Sequence, residues 1–341
     1  MQILVTGGLG FIGSHTVIAL VEAGYEAIII DNLANSEKFI LERIEKILGK
    51  AVPFYQGDCC DASLLEEIIR KHQIRGIIHF AAYKAVGESV AKPLEYYENN
   101  LLSLINLLKI MQKYELSHFV FSSSCTVYGE AKELPVSEKS PILPANSPYG
   151  NTKQIGEEII RDVVASGANI KAIALRYFNP IGSHPSGLIG ELPKGIPNNL
   201  VPFITQTAAG LRKELQVFGN DYPTPDGTCI RDYIHVCDLA EAHVQALSYL
   251  QKQDKPCYDF INVGTGKGAS VLEIIQTFEQ VAGQQVPYII APRRAGDVVA
   301  IYADAEKAQK MLGWKAKRNI NDALKDAWNW QKNLLNNNLL A

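Results

Sequence analysis

The chain has 341 residues, 47% of them hydrophobic and 20% charged, with a formal net charge of -3. Such usage excludes disorder, collagen and coiled coil, and the near-neutral balance gives no electrostatic case for nucleic acid or an anionic membrane as partner. The length suggests about two domains and is ample for a large core. The six cysteines are scattered with no Cys-x-x-Cys, and the seven histidines have no ligand spacing. Neither a disulfide framework nor a metal site is therefore expected. The opening Met1–Val5 lacks a basic n-region and no apolar run spans a bilayer, so a soluble, cytoplasmic protein is expected.

In chain order, strands are predicted at Gln2–Thr6, Ala27–Asp31, Val52–Tyr55, Gly76–His79, His118–Ser122 and Lys171–Arg176. Helical patterns lie between them at Ile12–Ala23, Ser36–Leu48, Ala62–His72, Pro93–Tyr114 and Pro148–Ala165. Strands apolar throughout belong to a sheet covered on both faces, and strand–helix alternation implies an α/β fold with a doubly wound parallel sheet. After Phe178 a proline- and glycine-rich stretch, Asn179–Pro202, reads as irregular. Helices follow near Leu200–Ala209, Val236–Leu250, Ser270–Val281 and Ile320–Leu335, with short strands near Leu215–Phe218, Phe260–Val263 and Tyr288–Ala291. The expected division is a Rossmann-type dinucleotide domain over 1–178 and a smaller α/β substrate domain over 179–341, with segments around 234–266 returning to the first. The Pro93–Tyr114 helix carries a wider apolar arc than one sheet face covers, so either a partner subunit or another domain element buries the remainder, and a homodimer is the favoured expectation.

Gly7-Gly8-Leu9-Gly10-Phe11-Ile12-Gly13 sits where the first strand turns into the first helix. Glycines at 7, 10 and 13 permit a tight turn, close approach to a pyrophosphate and seating of the helix, whose N-terminus favours anions. Many turns need glycine, so the loop alone is weak; the preceding strand, the following helix and Asp31 about 20 residues on give it weight. A carboxylate there accepts from a ribose and repels a 2′-phosphate, which selects NAD over NADP. Asp58 and Phe80-Ala81-Ala82 also sit at carboxyl ends of strands, and Lys84 is within reach of a ribose; singly, such residues are more often turn carboxylates or solvated lysines.

Tyr149 and Lys153 stand four apart on one helix face, after Ser147-Pro148. A free tyrosine, near pKa ~10, is a poor base at neutral pH. An ammonium about 5 Å away supplies on the order of 3 kcal/mol toward the phenolate, and an oxidised nicotinamide adds positive charge. Ser122-Ser123-Ser124 ends the fifth strand, placing a hydroxyl for the reacting oxygen. Tyr-x-x-x-Lys by itself is commonly a solvated face; with the loop and the serines it reads as a redox site.

Together these motifs resemble the extended short-chain dehydrogenase/reductases, which act on nucleotide sugars. The resemblance runs from residue 1 to about Trp330 and narrows, through Lys84-Ala85-Val86-Gly87-Glu88-Ser89, Arg176-Tyr177-Phe178-Asn179-Pro180, Gly195-Ile196-Pro197-Asn198-Asn199-Leu200, Phe218-Gly219-Asn220-Asp221-Tyr222 and Arg231-Asp232-Tyr233-Ile234-His235-Val236, to members that invert C4 of a UDP-hexose. It implies Tyr149 as base at the 4-hydroxyl, Ser124 as its assistant, and Lys153 on the nicotinamide ribose. It implies a cofactor set of Gly7, Gly10, Phe11, Ile12, Gly13, Asp31, Asn32, Asn35, Ser36, Asp58, Cys59, Phe80, Ala81, Ala82, Lys84, Asn99, Ser122, Tyr149, Lys153, Tyr177 and Phe178. Around the UDP-sugar it implies Lys84, Ser124, Tyr149, Phe178, Asn179, Asn199, Leu200, Gln216, Phe218, Arg231, Arg294, Asp297 and Ile301. Guanidinium forks suit a pyrophosphate, although Arg231 and Arg294 read without the resemblance as surface partners of Asp232 and Asp297.

The implied chemistry oxidises C4 of UDP-galactose or UDP-glucose to a 4-keto sugar, turns the sugar and returns hydride to its other face from tightly held NAD. The family position matching Ile301 limits room beside the sugar 2-substituent: tyrosine excludes N-acetyl groups, while cysteine or serine admits them. Isoleucine departs from both, and the galactose/glucose pair is expected as main substrate. A nucleotide-sugar 4,6-dehydratase would place an Asp-Glu pair where Cys125-Thr126 follow Ser124. A non-catalytic NAD-binding protein would not need Tyr149, Lys153 and Ser124 together.

Overall fold

The computed structural model describes residues 1–294 and 297–339. Its first part runs β1 (Gln2–Thr6), α1 (Phe11–Glu22), β2 (Glu26–Asp31), α2 (Phe39–Leu48), β3 (Phe54–Gln56), α3 (Ala62–Lys71), β4 (Ile74–His79), α4 (Val86–Ala91), α5 (Pro93–Lys113), β5 (His118–Ser124), a 3-10 turn at Cys125–Tyr128, α6 (Pro148–Ala165) and β6 (Lys171–Tyr177). There follow β7 (Asn179–Ile181), α7 (Leu200–Ala208), β8 (Leu215–Phe218), β9 (Ile230–His235), α8 (Val236–Gln251), β10 (Cys257–Val263), β11 (Gly268–Ser270), α9 (Val271–Ala282), β12 (Tyr288–Ala291), β13 (Ala300–Ile301), α10 (Glu306–Leu312) and α11 (Ile320–Asn336).

Seven parallel strands form the main sheet in the order β10-β6-β5-β4-β1-β2-β3. Strand side chains alternate between faces, so a strand buried on both sides must be apolar at every position. Ile3, Val5 and Ile29 accordingly join one core with Leu20, Leu239 and Leu247 of α1 and α8. Leu4, Ile28 and Ile30 join the other with Leu65, Leu104 and Ile160 of α3, α5 and α6. The strand order reverses between β4 and β1, and the crevice at the carboxyl ends there is where doubly wound sheets take ligands. The chain leaves this sheet after β6 and comes back to it: β10 pairs with β6 in parallel register from Cys257–Lys171 to Val263–Tyr177, and α8 packs along α1.

The other elements build a sheet of β11, β9, β13 and β7, a two-stranded pair β8–β12, and a separate core of Ile204, Val217, Ile274, Phe278 and Leu324. The strands β7, β9, β11 and β13 and the helices α4 and α10 were not expected from the sequence. The strands β7, β11 and β13 span three residues or fewer and α4 and α10 six and seven, too short for a periodic signal, while Arg231, Asp232 and His235 break the apolar run of β9. The second helix starts at Phe39 rather than Ser36, because the Ser36 hydroxyl is spent on Asp31 Oδ1 at 2.7 Å. On α5, Leu104, Leu107, Leu108 and Met111 are buried, whereas Leu94 and Leu102 face solvent. Among the described residues no helix is long and apolar enough to cross a membrane.

Candidate active site

Gly7 has φ +67 and a Cβ there would lie 2.9 Å from the Ala81 nitrogen; a Cβ on Gly13 would meet the Gly7 oxygen at 2.2 Å. These two positions therefore need glycine for the loop to fold back on helix α1. Among the described residues no side chain caps the start of α1, which leaves its first N–H groups available to an anion. Asp31 ties the crevice together: its Oδ2 accepts from Leu9 N at 3.0 Å, and its Oδ1 from Leu33 N at 2.9 Å and from Ser36. Asn32 donates to Asp58 Oδ2 at 2.8 Å, and Asn35 is exposed beside it. Burial works to raise the Asp58 carboxyl, but hydrogen bonds from the Cys60 N–H and Asn32 bring it below its usual value. Cys59 is buried beneath, its thiol pushed well up by desolvation. Thr6 Oγ1 receives Ala81 N at 3.2 Å and contacts His79 Nδ1 at 2.8 Å, which fixes the Phe80-Ala81-Ala82 turn. Burial drops His79 to about 3, so it is a neutral core residue. This cradle, the uncapped helix and the ring of polar groups at β2 and β3 fit a dinucleotide.

Tyr149, Lys153 and Ser124 come together where β5 ends and α6 begins. Ser147 caps α6 by accepting from Gly150 N at 3.1 Å, and Pro148 occupies the first turn, so Tyr149 is held in the helix opening. Asn151 donates to the Tyr97 hydroxyl at 2.7 Å, tying this helix to α5. Lys153, only 4% exposed, donates to the Ser122 carbonyl at 2.6 Å, and its ammonium lies 5.9 Å from the Tyr149 ring centre. Ser124 is buried at the end of β5, accepting from Thr126 N at 3.2 Å.

Burial dominates the electrostatics of the pair. Burial pushes the Tyr149 phenol up to about 12, with the Ser124 hydroxyl working against it. Burial also pulls Lys153 down to about 7, with the Glu157 carboxylate working the other way. Desolvation thus outweighs the attraction read from the Tyr-x-x-x-Lys spacing, and the pair alone does not make a base. Tyr177 is buried with a hydroxyl that has no partner, and Phe178 packs with Val127, Tyr128 and Ile301. Asn99 donates to Asn100 Oδ1 at 2.9 Å at the same end of α5.

The residues expected around UDP form a second group. Arg231 reaches Asp297 Oδ1 at 3.4 Å, and Arg294 grips the same carboxylate at 2.8 and 3.2 Å while lying over the Phe218 ring. Asp232 does not pair with Arg231; it is buried under N–H groups of Thr265, Gly266 and Ala303. Asn179 opens β7, Asn199 and Leu200 open α7, and Gln216 is exposed on β8 beside Phe218. Ile301, 6% exposed, sits in one cluster with Cys125, the residue after Ser124, and Phe178. Lys84 does not hang free over a ribose: its ammonium is 3.1 Å from Glu191 Oε1, which also accepts from Asn199 Nδ2 at 2.6 Å. Glu191 was invisible in the irregular stretch, which has no periodicity to mark a facing. Glu157 had a signal, four residues beyond Lys153 on the same face.

Where a dehydratase would need an acid–base pair, Cys125 is pushed up to about 12 by burial and the Thr126 hydroxyl is buried without a partner. Among the described residues no group of three or more His, Cys, Asp or Glu is arranged to hold a metal ion.

The family model described as GDP-mannose 4,6 dehydratase matches residues 4–327. The UDP-glucose 4-epimerase of Dictyostelium discoideum is 52% identical over 330 residues, 97% of this chain and 95% of that protein. The crystal structure of UDP-glucose 4-epimerase from Bifidobacterium longum in complex with NAD+ and UDP is 51% identical with a TM-score of 0.95, covering 98% of this chain and 99% of that one. That of the Stenotrophomonas maltophila enzyme, with bound NAD and formylated UDP-arabinopyranose, is 47% identical with a TM-score of 0.96, covering 99% of both. The dehydratase model spans the common fold, while the full-length relatives near half identity carry the epimerase name, in keeping with Cys125 and Thr126. The chain belongs to the UDP-glucose 4-epimerase family of extended short-chain dehydrogenase/reductases.

Proposed function

We propose that this chain is an enzyme that interconverts UDP-galactose and UDP-glucose at C4, in galactose metabolism, with NAD held throughout. The observation that carries the reading is the meeting of Tyr149, Lys153 and Ser124 at the carboxyl end of the sheet, beside the glycine cradle. Tyr149 takes the 4-hydroxyl proton and later gives it back, and Ser124 hydrogen-bonds the same oxygen. Lys153, locked to the Ser122 carbonyl, sets its amino group beside the phenol, where its protonated form favours the phenolate. Bound NAD supplies hydride acceptance and return at C4, together with a cationic ring that helps overcome the desolvation of Tyr149. Arg231 and Arg294 turn from Asp297 to the pyrophosphate and hold UDP while the sugar ring swings. The electrons taken from C4 go back to C4, so no external oxidant is consumed.

Incubating the protein with UDP-galactose and no added NAD, and following UDP-glucose by chromatography, tests the reading. Conversion is expected; silence both without and with added NAD would remove it. Ile301 supports the main substrate pair by filling space beside the sugar. Ile301→Tyr is expected to depress activity on N-acetylated UDP-sugars by about tenfold, on the scale of a steric change in a pocket, and to spare the parent pair. Equal rates on both sugar pairs before and after substitution would dismiss Ile301 as the gate.

The division of labour follows the chain: residues 1–178, with the stretch around 234–266, hold NAD, and the rest of 179–341 holds the UDP-sugar. Exposed Leu94 and Leu102 on α5 support a homodimer, which light scattering at micromolar concentration would disprove by a monomer mass. The six cysteines are free thiols, which suits a cytoplasmic site of action.

A further inference from the structure

The irregular stretch between β7 and α7 is tied down at several points. Arg43, lying over the rings of Phe39 and Trp330, donates to the Leu188 carbonyl at 3.1 Å. Trp330 Nε1 donates to the Glu191 carbonyl at 3.0 Å, and the Glu191 carboxylate takes the Lys84 ammonium. Lys194 donates to the Leu33 carbonyl at 2.8 Å and lies 3.3 Å from Glu37 Oε1.

The topology gives these ties a direction. Lys84 follows β4 and Leu33 follows β2, and these strands flank β1 on either side. Adjacent strands are about 4.8 Å apart, so the ends of β2 and β4 are roughly 10 Å apart across β1, with Leu33 two and Lys84 five residues beyond them. Three residues of extended chain reach about 10 Å, the step from Glu191 to Lys194. A segment bonded on both sides of β1 is thus placed to pass over the carboxyl end of that strand, where the glycine loop lies. The Leu33 end is itself strained: Leu33 has φ 60, a left-handed conformation unfavourable for a branched side chain. Its N–H is held by Asp31 and its carbonyl by Lys194, so the ammonium fixes one end of the peptide that shapes the ribose turn.

We propose that residues 188–195 form a strap across the dinucleotide crevice, and that the clasp of Lys194 on Leu33 and Glu37 sets how slowly the cofactor leaves. The inference rests on the NAD-dependent reading above and adds positioning residues to it. The ion pair is half exposed and is worth little alone; its contribution comes with the charge-assisted bond to the Leu33 carbonyl, which closes the strap from the substrate side. The strap also explains how a cofactor that is never consumed stays in place through many turnovers.

The test uses the NAD-loaded enzyme, diluted into NAD-free buffer, with protein-bound NAD measured after rapid gel filtration at successive times. Lys194→Gln and Glu37→Gln are expected to release NAD about two to five times faster at low salt, the range of one exposed charge-assisted contact. Lys194→Arg keeps the charge and the donor, and is expected to stay within about twofold of the parent. The difference between Lys194→Gln and the parent narrows at about 0.5 M salt, because half-exposed charges are screened. A purely structural role would not respond to salt or be rescued by arginine. Release from Lys194→Gln at the parent rate, or Lys194→Arg as fast as Lys194→Gln, overturns the clasp and leaves the NAD-dependent reading standing. A parent protein that retains no NAD overturns the clasp, while the NAD-dependent reading falls only if UDP-galactose stays unconverted with NAD added.

Discussion

Tyr149→Phe is expected to lower turnover on UDP-galactose by about a thousandfold, within the 10²–10⁴ range typical of a positioned general base, while leaving NAD bound. The substitution removes one hydroxyl and keeps the ring, so the opening of α6 and the cap from Ser147 are undisturbed. Retained NAD, read from absorbance after denaturation, separates lost chemistry from lost cofactor. The same position explains why the residual pH profile is informative. With the phenol pushed up to about 12 and Lys153 down to about 7 by burial, the parent needs extra positive charge at the site to ionise the tyrosine. The parent rate should therefore rise with pH through the titration of the tyrosine in the loaded enzyme, and the Phe variant should lose that rise. Near-normal turnover by the variant would take Tyr149 out of the reaction.

Arg176→Met is expected to destabilise the protein by about 3–5 kcal/mol, the cost of removing one partner from a buried ion pair. Arg176 is 1% exposed on β6 and grips Glu157 through Nε at 2.9 Å and Nη2 at 2.5 Å. Its guanidinium stacks on Phe260 of β10 at 3.8 Å and on Tyr128 at 4.8 Å, and Ser123 donates to Glu157 at 2.5 Å. Without the arginine a carboxylate remains in the core between β5 and α6, one turn beyond Lys153. The double variant Arg176→Met, Glu157→Met removes both charges and should recover much of the loss, since a buried pair replaced by apolar groups is often neutral. Urea midpoints of the parent, single and double variants measure both effects. A single variant within about 1 kcal/mol of the parent would show that the pair is not a structural tie.

The sequence made the sheet legible because its strands are apolar on both faces, a pattern that Ile28, Ile29 and Ile30 carry without interruption. The cofactor cradle was legible for a steric reason: Gly7 and Gly13 occupy positions where any Cβ collides with backbone. The Tyr149–Lys153 facing followed from helical spacing, but their ionisation did not, because spacing reports distance and not desolvation. The second sheet was largely hidden. Its strands are short, and Arg231 and Asp232 on β9 read as a charged motif when they are a strand with one residue turned to Asp297 and the next to the Thr265 turn. The resemblance named the residues near UDP, yet gave no hint that Arg231 and Arg294 share one carboxylate or that Lys84 is paired with Glu191.

The return of the chain to the main sheet bears on how the molecule is made. While only the first 178 residues have emerged from the ribosome, β6 is an open edge with a full row of unpaired N–H and C=O groups, and the outer side of α1 is bare. Both are covered only when α8 and β10 arrive, after β7, α7, β8 and β9 have been synthesised. The nucleotide-binding half therefore cannot complete itself first and wait, as an N-terminal domain usually does. A nascent chain stalled near residue 178 should instead remain a client for chaperones, and one released after Val263 should be the shortest able to hide its own edge.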